Sequence, residues 1–257
     1  MEKQKVPVVL SGGGARGFAH VGILKALEEH QIYPSAISAT SAGAMVGALI
    51  ADGYHPAEVK ELVLKKVKLT DLLDFKRMNG HLISLHKIGQ FLKAHLRATD
   101  FEQLQLPFYV TAVNYHNGTP FVFQQGPIVE AVLAASSIPT LFEPTLVGNI
   151  PYVDGALYSN LPLGPLEDQI DQVIACHVNP IAPYLPKSSV FHLMDRAIHL
   201  SFLDRINRVR QRCKWFIEPY ELHPFGMFEV HRLAEIYEVG YNGALAFLEH
   251  PGNNNSI

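Results

Sequence analysis

The chain has 257 residues, 48% hydrophobic and 18% charged, a balance that excludes a disordered chain and suits one large α/β domain with a full core. A formal net charge of -3 gives no global reason to expect nucleic acid as a partner. Cys176 and Cys213 are too few for a disulfide framework, which points to a reducing, cytoplasmic setting. The opening MEKQKVPVVL has a basic start but too short an apolar run for a secretory signal, and the longest run of apolar and small residues, 42–51, falls far short of a membrane span. Any membrane contact is therefore expected to be peripheral.

Strand signals fall at residues 8–10, 36–39, 108–113, 121–123 and 173–177. Pro7 lacks a backbone donor and fits the mouth of the first strand. Helical patterns occupy 18–30, with Lys25, Glu28 and Glu29 on one polar face, then 42–51, 129–135 and 233–249. In the second of these, Gly43 and Gly47 stand four apart, a close-packing pattern. Strands alternating with helices predict a three-layer α/β/α fold on a mainly parallel sheet. Without an internal repeat or a Gly/Ser/Pro-rich linker, residues 1–257 read as a single domain. The helical segment 59–96 is a candidate cap, and residues 250–257 a frayed tail.

The first strand runs into SGGGARG, where Gly12, Gly14 and Gly17 satisfy the G-x-G-x-x-G pattern of a nucleotide-binding loop. A dinucleotide site needs an acid at the end of the second strand to hold the ribose, and none follows residues 36–39. Ala39-Thr40-Ser41-Ala42-Gly43 stands there instead, a small-x-Ser-x-Gly turn between strand and helix. That is the setting of a nucleophile elbow. Attack by Ser41 on an ester carbonyl generates an oxyanion, and consecutive glycines let backbone N–H groups approach it closely. Each motif has a plainer alternative: Ser41 as a helix N-cap, and Asp154-Gly155 as an ordinary turn.

GGGARG, then TSAGA, then AASSIPTLFEP (134–144) and VDGALYSNLP, in this order, resemble the patatin-like phospholipase family. The resemblance implies a cofactor-free Ser-Asp dyad acyl hydrolase on a three-layer α/β fold, acting on acyl-ester lipids. Ser41 would be the nucleophile and Asp154 its partner. Gly12, Gly13 and Gly14, with the Ala42 amide, would form the oxyanion hole, and Arg16 would brace the loop. The chain departs from the family pattern at Ala39, where the elbow usually has Gly, and in having DGA for DGG.

Histidines need separate weighing, since serine hydrolases commonly employ one. Ser41, Asp154 and His177 follow the chain order of an α/β-hydrolase triad, but VIACHVNP reads as a strand rather than a mobile loop, so His177 is expected to be structural. His20, beside the glycine loop, is expected to be packed. No HExxH or clustered Cys/His spacing implies a metal. In the segment 191–215, Phe191, Met194, Ile198, Phe202, Ile206 and Val209 form an apolar stripe, followed by Arg205, Arg208, Arg210, Arg212 and Lys214. A core-packed helix with a basic face is favoured over a membrane-surface helix. A thioesterase or small-ester esterase with the same dyad, and a non-catalytic lipid- or nucleotide-binding module, remain the competing functions.

Overall fold

The computed structural model describes residues 3–66, 85–139, 141–181, 183 and 190–250, without the side chains of 190–192, 194 and 195. Eight strands form one sheet: β1 Gln4–Leu10, β2 Ile32–Ala39, β3 Phe108–Asn114, β4 Pro120–Phe123, β5 Thr145–Val147, β6 Ile150–Asp154, β7 Ile174–Cys176 and β8 Trp215–Ile217. Their order is β5-β6-β3-β2-β1-β7-β8, with β4 on β3. Strands β3, β2, β1, β7 and β8 are parallel, while β4 and β6 run antiparallel to β3. Helices are α1 Ala19–Glu29, α2 Ser41–Ala51, α3 Pro56–Lys66, α4 His86–His95, α5 Ile128–Ala134, α6 Val190–Arg212 and α7 Leu233–Glu249.

Alternation along the strands builds a core on each face of the sheet. Val8 and Leu10 of β1, with Ile174 and Cys176 of β7, join the side chains of α1, α2 and α7. Val9 and Ala175, pointing the other way, join Phe202, Ile206 and Val209 of α6. From Ile198 to Val209 the apolar stripe of α6 is thus committed to the protein interior, as a core-packed helix requires, and the side chains of Phe191 and Met194 lie outside the described residues. Its arginines are also engaged: Arg208 pairs with Asp204, Arg210 with Glu218, Arg212 with Glu167, and Arg205 lies over the Tyr158 ring.

The hairpin β5–β6 and the edge strand β8 are not apparent from the sequence pattern: β5 and β8 are three residues long and β6 only five, which leaves little period to read. The predicted cap resolves into α3 and α4; its residues 67–84, and the tail 251–257, lie outside the described residues.

One register decides where the chemistry can sit. On one side of β3, β2 pairs with Phe108–Val110 and β6 with Ala112–Asn114, while β4 occupies the other side at Val110–Val113. Because β2 is parallel and β6 antiparallel to β3, their C-terminal ends meet head to head. Ala39 stands opposite Val110, and Asp154 opposite Ala112. The turn after β2 and the last residue of β6 are thereby brought to one point.

Candidate active site

The turn after β2 carries Ser41. Thr40 is extended (φ -143, ψ 160), and Ser41 swings to φ 52 as it opens α2. A left-handed serine costs on the order of 1–3 kcal/mol and needs its surroundings to hold it. The Ser41 N–H donates to the Ala135 carbonyl at 3.0 Å, and the Thr40 hydroxyl donates to the Thr111 carbonyl at 2.9 Å. Gly43 lets α2 press onto the end of β1, where a Cβ would come within 2.5 Å of the Ser11 carbonyl oxygen. Ala39 is fully buried in the core, so its extra methyl is absorbed by packing and the elbow turn persists.

Asp154 ends β6 with its side chain buried. Its Oδ1 accepts the Ala156 N–H at 2.8 Å, and Oδ2 has no hydrogen-bond partner among the described residues. Burial pushes the carboxyl up to about 6 against the smaller opposing pull of the Ser41 hydroxyl, the Ala156 N–H and the Thr40 hydroxyl. The Ser41 hydroxyl thus stands near enough to favour the carboxylate, though it makes no aligned hydrogen bond to it.

The glycine loop lies against this pair. A Cβ on Gly12 would come within 2.7 Å of the Asn160 Oδ1 and 3.0 Å of the Ser41 Cβ, so glycine lets the loop lie this close without displacing either side chain. The Gly12 N–H donates to the Asn160 carbonyl at 3.1 Å, so that amide is already committed, unlike the role first expected of it. Among the described residues no backbone carbonyl takes the N–H groups of Gly13 or Gly14. The Ala42 N–H lies in the first turn of α2, where a helix offers no acceptor of its own. Arg16 is buried, its guanidinium 3.5 Å from the Phe225 carbonyl, tying the loop to the segment before α7.

His177 is engaged elsewhere. Its Nδ1 meets the Glu218 carboxylate at 2.5 Å, and Glu218 also binds Arg210. Burial works to raise the Glu218 pKa, yet His177 and Arg210 together bring it below the ordinary value. His20 bonds the Ser11 carbonyl at 2.8 Å through Nε2, and burial lowers its pKa to about 4, so it is neutral near pH 7. Sequence reasoning missed Asn179, whose side chain holds the loop across the fold and carries no spacing signal; Asn160, inside the VDGALYSNLP motif, holds Gly12 through its backbone carbonyl.

A cavity of about 180 Å³ opens from Ser41, Ala42 and Gly14. Its far walls are apolar: Met45 and Leu49 of α2, Val63 of α3, Ile88 and Phe91 of α4, and Phe142. Among the described residues no cluster of His, Cys, Asp and Glu is arranged to hold a metal, and no helix is long and apolar enough to cross a membrane.

A mixed α/β sheet with helices on both faces is the fold class of VipD from Legionella pneumophila, which superposes with TM-score 0.60 at 15% identity over 97% of this chain and 67% of that one. Within that class the chain belongs to the patatin-like phospholipase family, whose model matches residues 8–167. The lysophospholipase NTE1 of Candida albicans is 21% identical over 93% of this chain, and the NTE family protein Rv1063c of Mycobacterium tuberculosis 30% identical over 68%. The chain spans 20% of the first of these proteins and 49% of the second.

Proposed function

We propose that residues 1–257 act as a single serine acyl hydrolase unit that cleaves fatty-acyl esters of phospholipid type through an acyl-Ser41 intermediate. The observation that carries this reading is the left-handed Ser41 beside a buried Asp154, with Ser41 itself lining an apolar cavity. Ser41 Oγ attacks the ester carbonyl while its proton passes to Asp154 Oδ2. The resulting oxyanion is received by the N–H groups of Gly13, Gly14 and Ala42, aided by the positive end of α2. Collapse expels the alcohol, which takes the proton back from Asp154. Water, deprotonated by Asp154, then attacks the acyl-enzyme, and the fatty acid leaves with Ser41 restored.

The apolar cavity favours a lipid chain over a small soluble ester or a nucleotide. The lysophospholipase relatives suggest a lysophospholipid as the first substrate to try. Phe228 lines the cavity and is itself exposed, which supports peripheral contact with a lipid surface at that rim. Free Cys176 and Cys213 are consistent with a cytoplasmic, reducing setting.

A serine-reactive fluorophosphonate followed by peptide mass spectrometry tests the reaction class. The adduct is expected on Ser41, and absent from Ser41→Ala. Labelling that is unchanged in Ser41→Ala would overturn the assignment.

A further inference from the structure

We propose that Asn179 is a positioning residue for the oxyanion loop: it orients and polarises the Gly12–Gly13 peptide whose N–H faces the reaction. The proposal rests on the acyl-hydrolase reading of the site.

Strands β1 and β7 are parallel neighbours, with Leu10 opposite Cys176. Past their ends the backbone ladder gives one more bond, from the Ser11 N–H to the Cys176 carbonyl at 3.1 Å. Beyond it the two chains separate into loops, and side chains take over the pairing. The Val178 N–H donates to the Ser11 hydroxyl at 3.1 Å, and the Asn179 amide Nδ2 donates to the Gly12 carbonyl at 2.6 Å. Asn179 is 1% exposed, so this bond is shielded from water and tightly located.

The Gly12 carbonyl and the Gly13 N–H belong to one planar trans peptide and point in opposite directions. Fixing the carbonyl therefore fixes the N–H. A donor on the carbonyl also draws electron density along the amide, which makes the N–H at the far end a stronger donor. Gly12 itself abuts the Ser41 side chain, so the peptide held by Asn179 is next to the nucleophile. Glycines on both sides of this peptide leave it free to rotate unless something outside the loop stops it. The Asn160 carbonyl holds the preceding amide and Asn179 holds the carbonyl.

Such a residue touches no substrate, and its loss weakens only an interaction that strengthens as negative charge develops. Removing an oxyanion donor outright costs about 10²–10³ in rate, and misorienting one should cost less, about 10- to 100-fold. Asn179→Leu keeps the side-chain shape without the donor, and Asn179→Ala serves as the second variant if Leu disturbs folding. Each should lower kcat about 10- to 100-fold while KM changes less than about threefold, and should lose a similar factor in affinity for an alkyl boronic acid, which forms an anionic tetrahedral adduct on serine. A non-covalent fatty-acid ligand should bind as in the wild type. Equal losses for boronate and fatty acid would assign Asn179 a merely structural part, and an unchanged kcat in folded Asn179→Leu would overturn the proposal. Neither result bears on the reaction class, which is tested separately by the fluorophosphonate labelling of Ser41→Ala.

Discussion

Asp154 carries a conflict between stability and chemistry that pH should expose. Its folded pKa, pushed up to about 6 by burial, lies above the ordinary 3.8. The native state therefore binds the proton more tightly than the unfolded chain, and stability falls as pH rises between those values. At neutral pH the ionised, buried carboxylate costs on the order of 2–3 kcal/mol. Activity runs the other way, because only the ionised form accepts the serine proton: kcat/KM should rise through pH 6 and level off above pH 7. Asp154→Asn should lose about a thousandfold or more in turnover while melting higher than the wild type at pH 7, with the two curves converging near pH 4. A lower melting temperature for Asp154→Asn at pH 7 would contradict the burial argument. His177 is the rival base, and its Nδ1 is held by Glu218. His177→Ala should keep kcat within about tenfold, a barrier change near 1.4 kcal/mol. A thousandfold loss with an unaltered melting curve would restore a triad.

Among the elements, α6 is the one whose role the sequence left open. Stripe and basic cluster were both legible at residues 191–215, but a periodic apolar face looks alike whether it meets a sheet or a bilayer. The structure supplies the missing partner: Leu161, Leu163, Leu166 and Phe216 pack with Phe202, Ile206 and Val209. Arg210, half-buried at the margin of that core, pairs with Glu218 and lies over the Phe216 ring. Phe202→Ala should accordingly cost about 3–5 kcal/mol in denaturant unfolding, as deletion of a buried ring does. A helix lying free for a lipid surface would lose almost nothing in solution, so an unchanged urea midpoint would reverse the packing assignment. The nucleophile elbow was far more legible, since its geometry is local: a small residue, a serine and a glycine at fixed offsets suffice to turn β2 into α2. What stayed hidden at the site was non-local. Asn179 reaches the glycine loop from a distant part of the chain, and no period or spacing marks a side-chain hydrogen bond made 167 residues away.

At the scale of the whole molecule, one strand arranges the catalytic pair and the helices above it define what can enter. Strand β3 sets β2 and β6 end to end, so serine and aspartate meet although 113 residues of sequence separate positions 41 and 154. The order of motifs announced that pairing only through a family resemblance, because strand direction and register are not written in any single segment. The cavity beside them is bounded by α2, α3 and α4, elements that lie between β2 and β3 in the chain. If an acyl chain fills this cavity, each methylene it buries contributes about 0.8 kcal/mol, or about fourfold in kcat/KM. Activity toward a series of nitrophenyl esters should then climb by about that factor per methylene until the space is full, and flatten afterwards. Val63 is a half-buried residue on the α3 wall, where a larger side chain can be added without breaking the sheet. Val63→Trp should move the plateau to shorter chains, lowering kcat/KM for long-chain esters about tenfold or more while leaving the acetyl ester within about twofold, since Ser41, Asp154 and the glycine loop are untouched. A chain-length profile identical to wild type would remove the cavity from the substrate's path, and an equal fall for acetyl and long-chain esters would show that α3 supports the catalytic turn rather than the acyl chain.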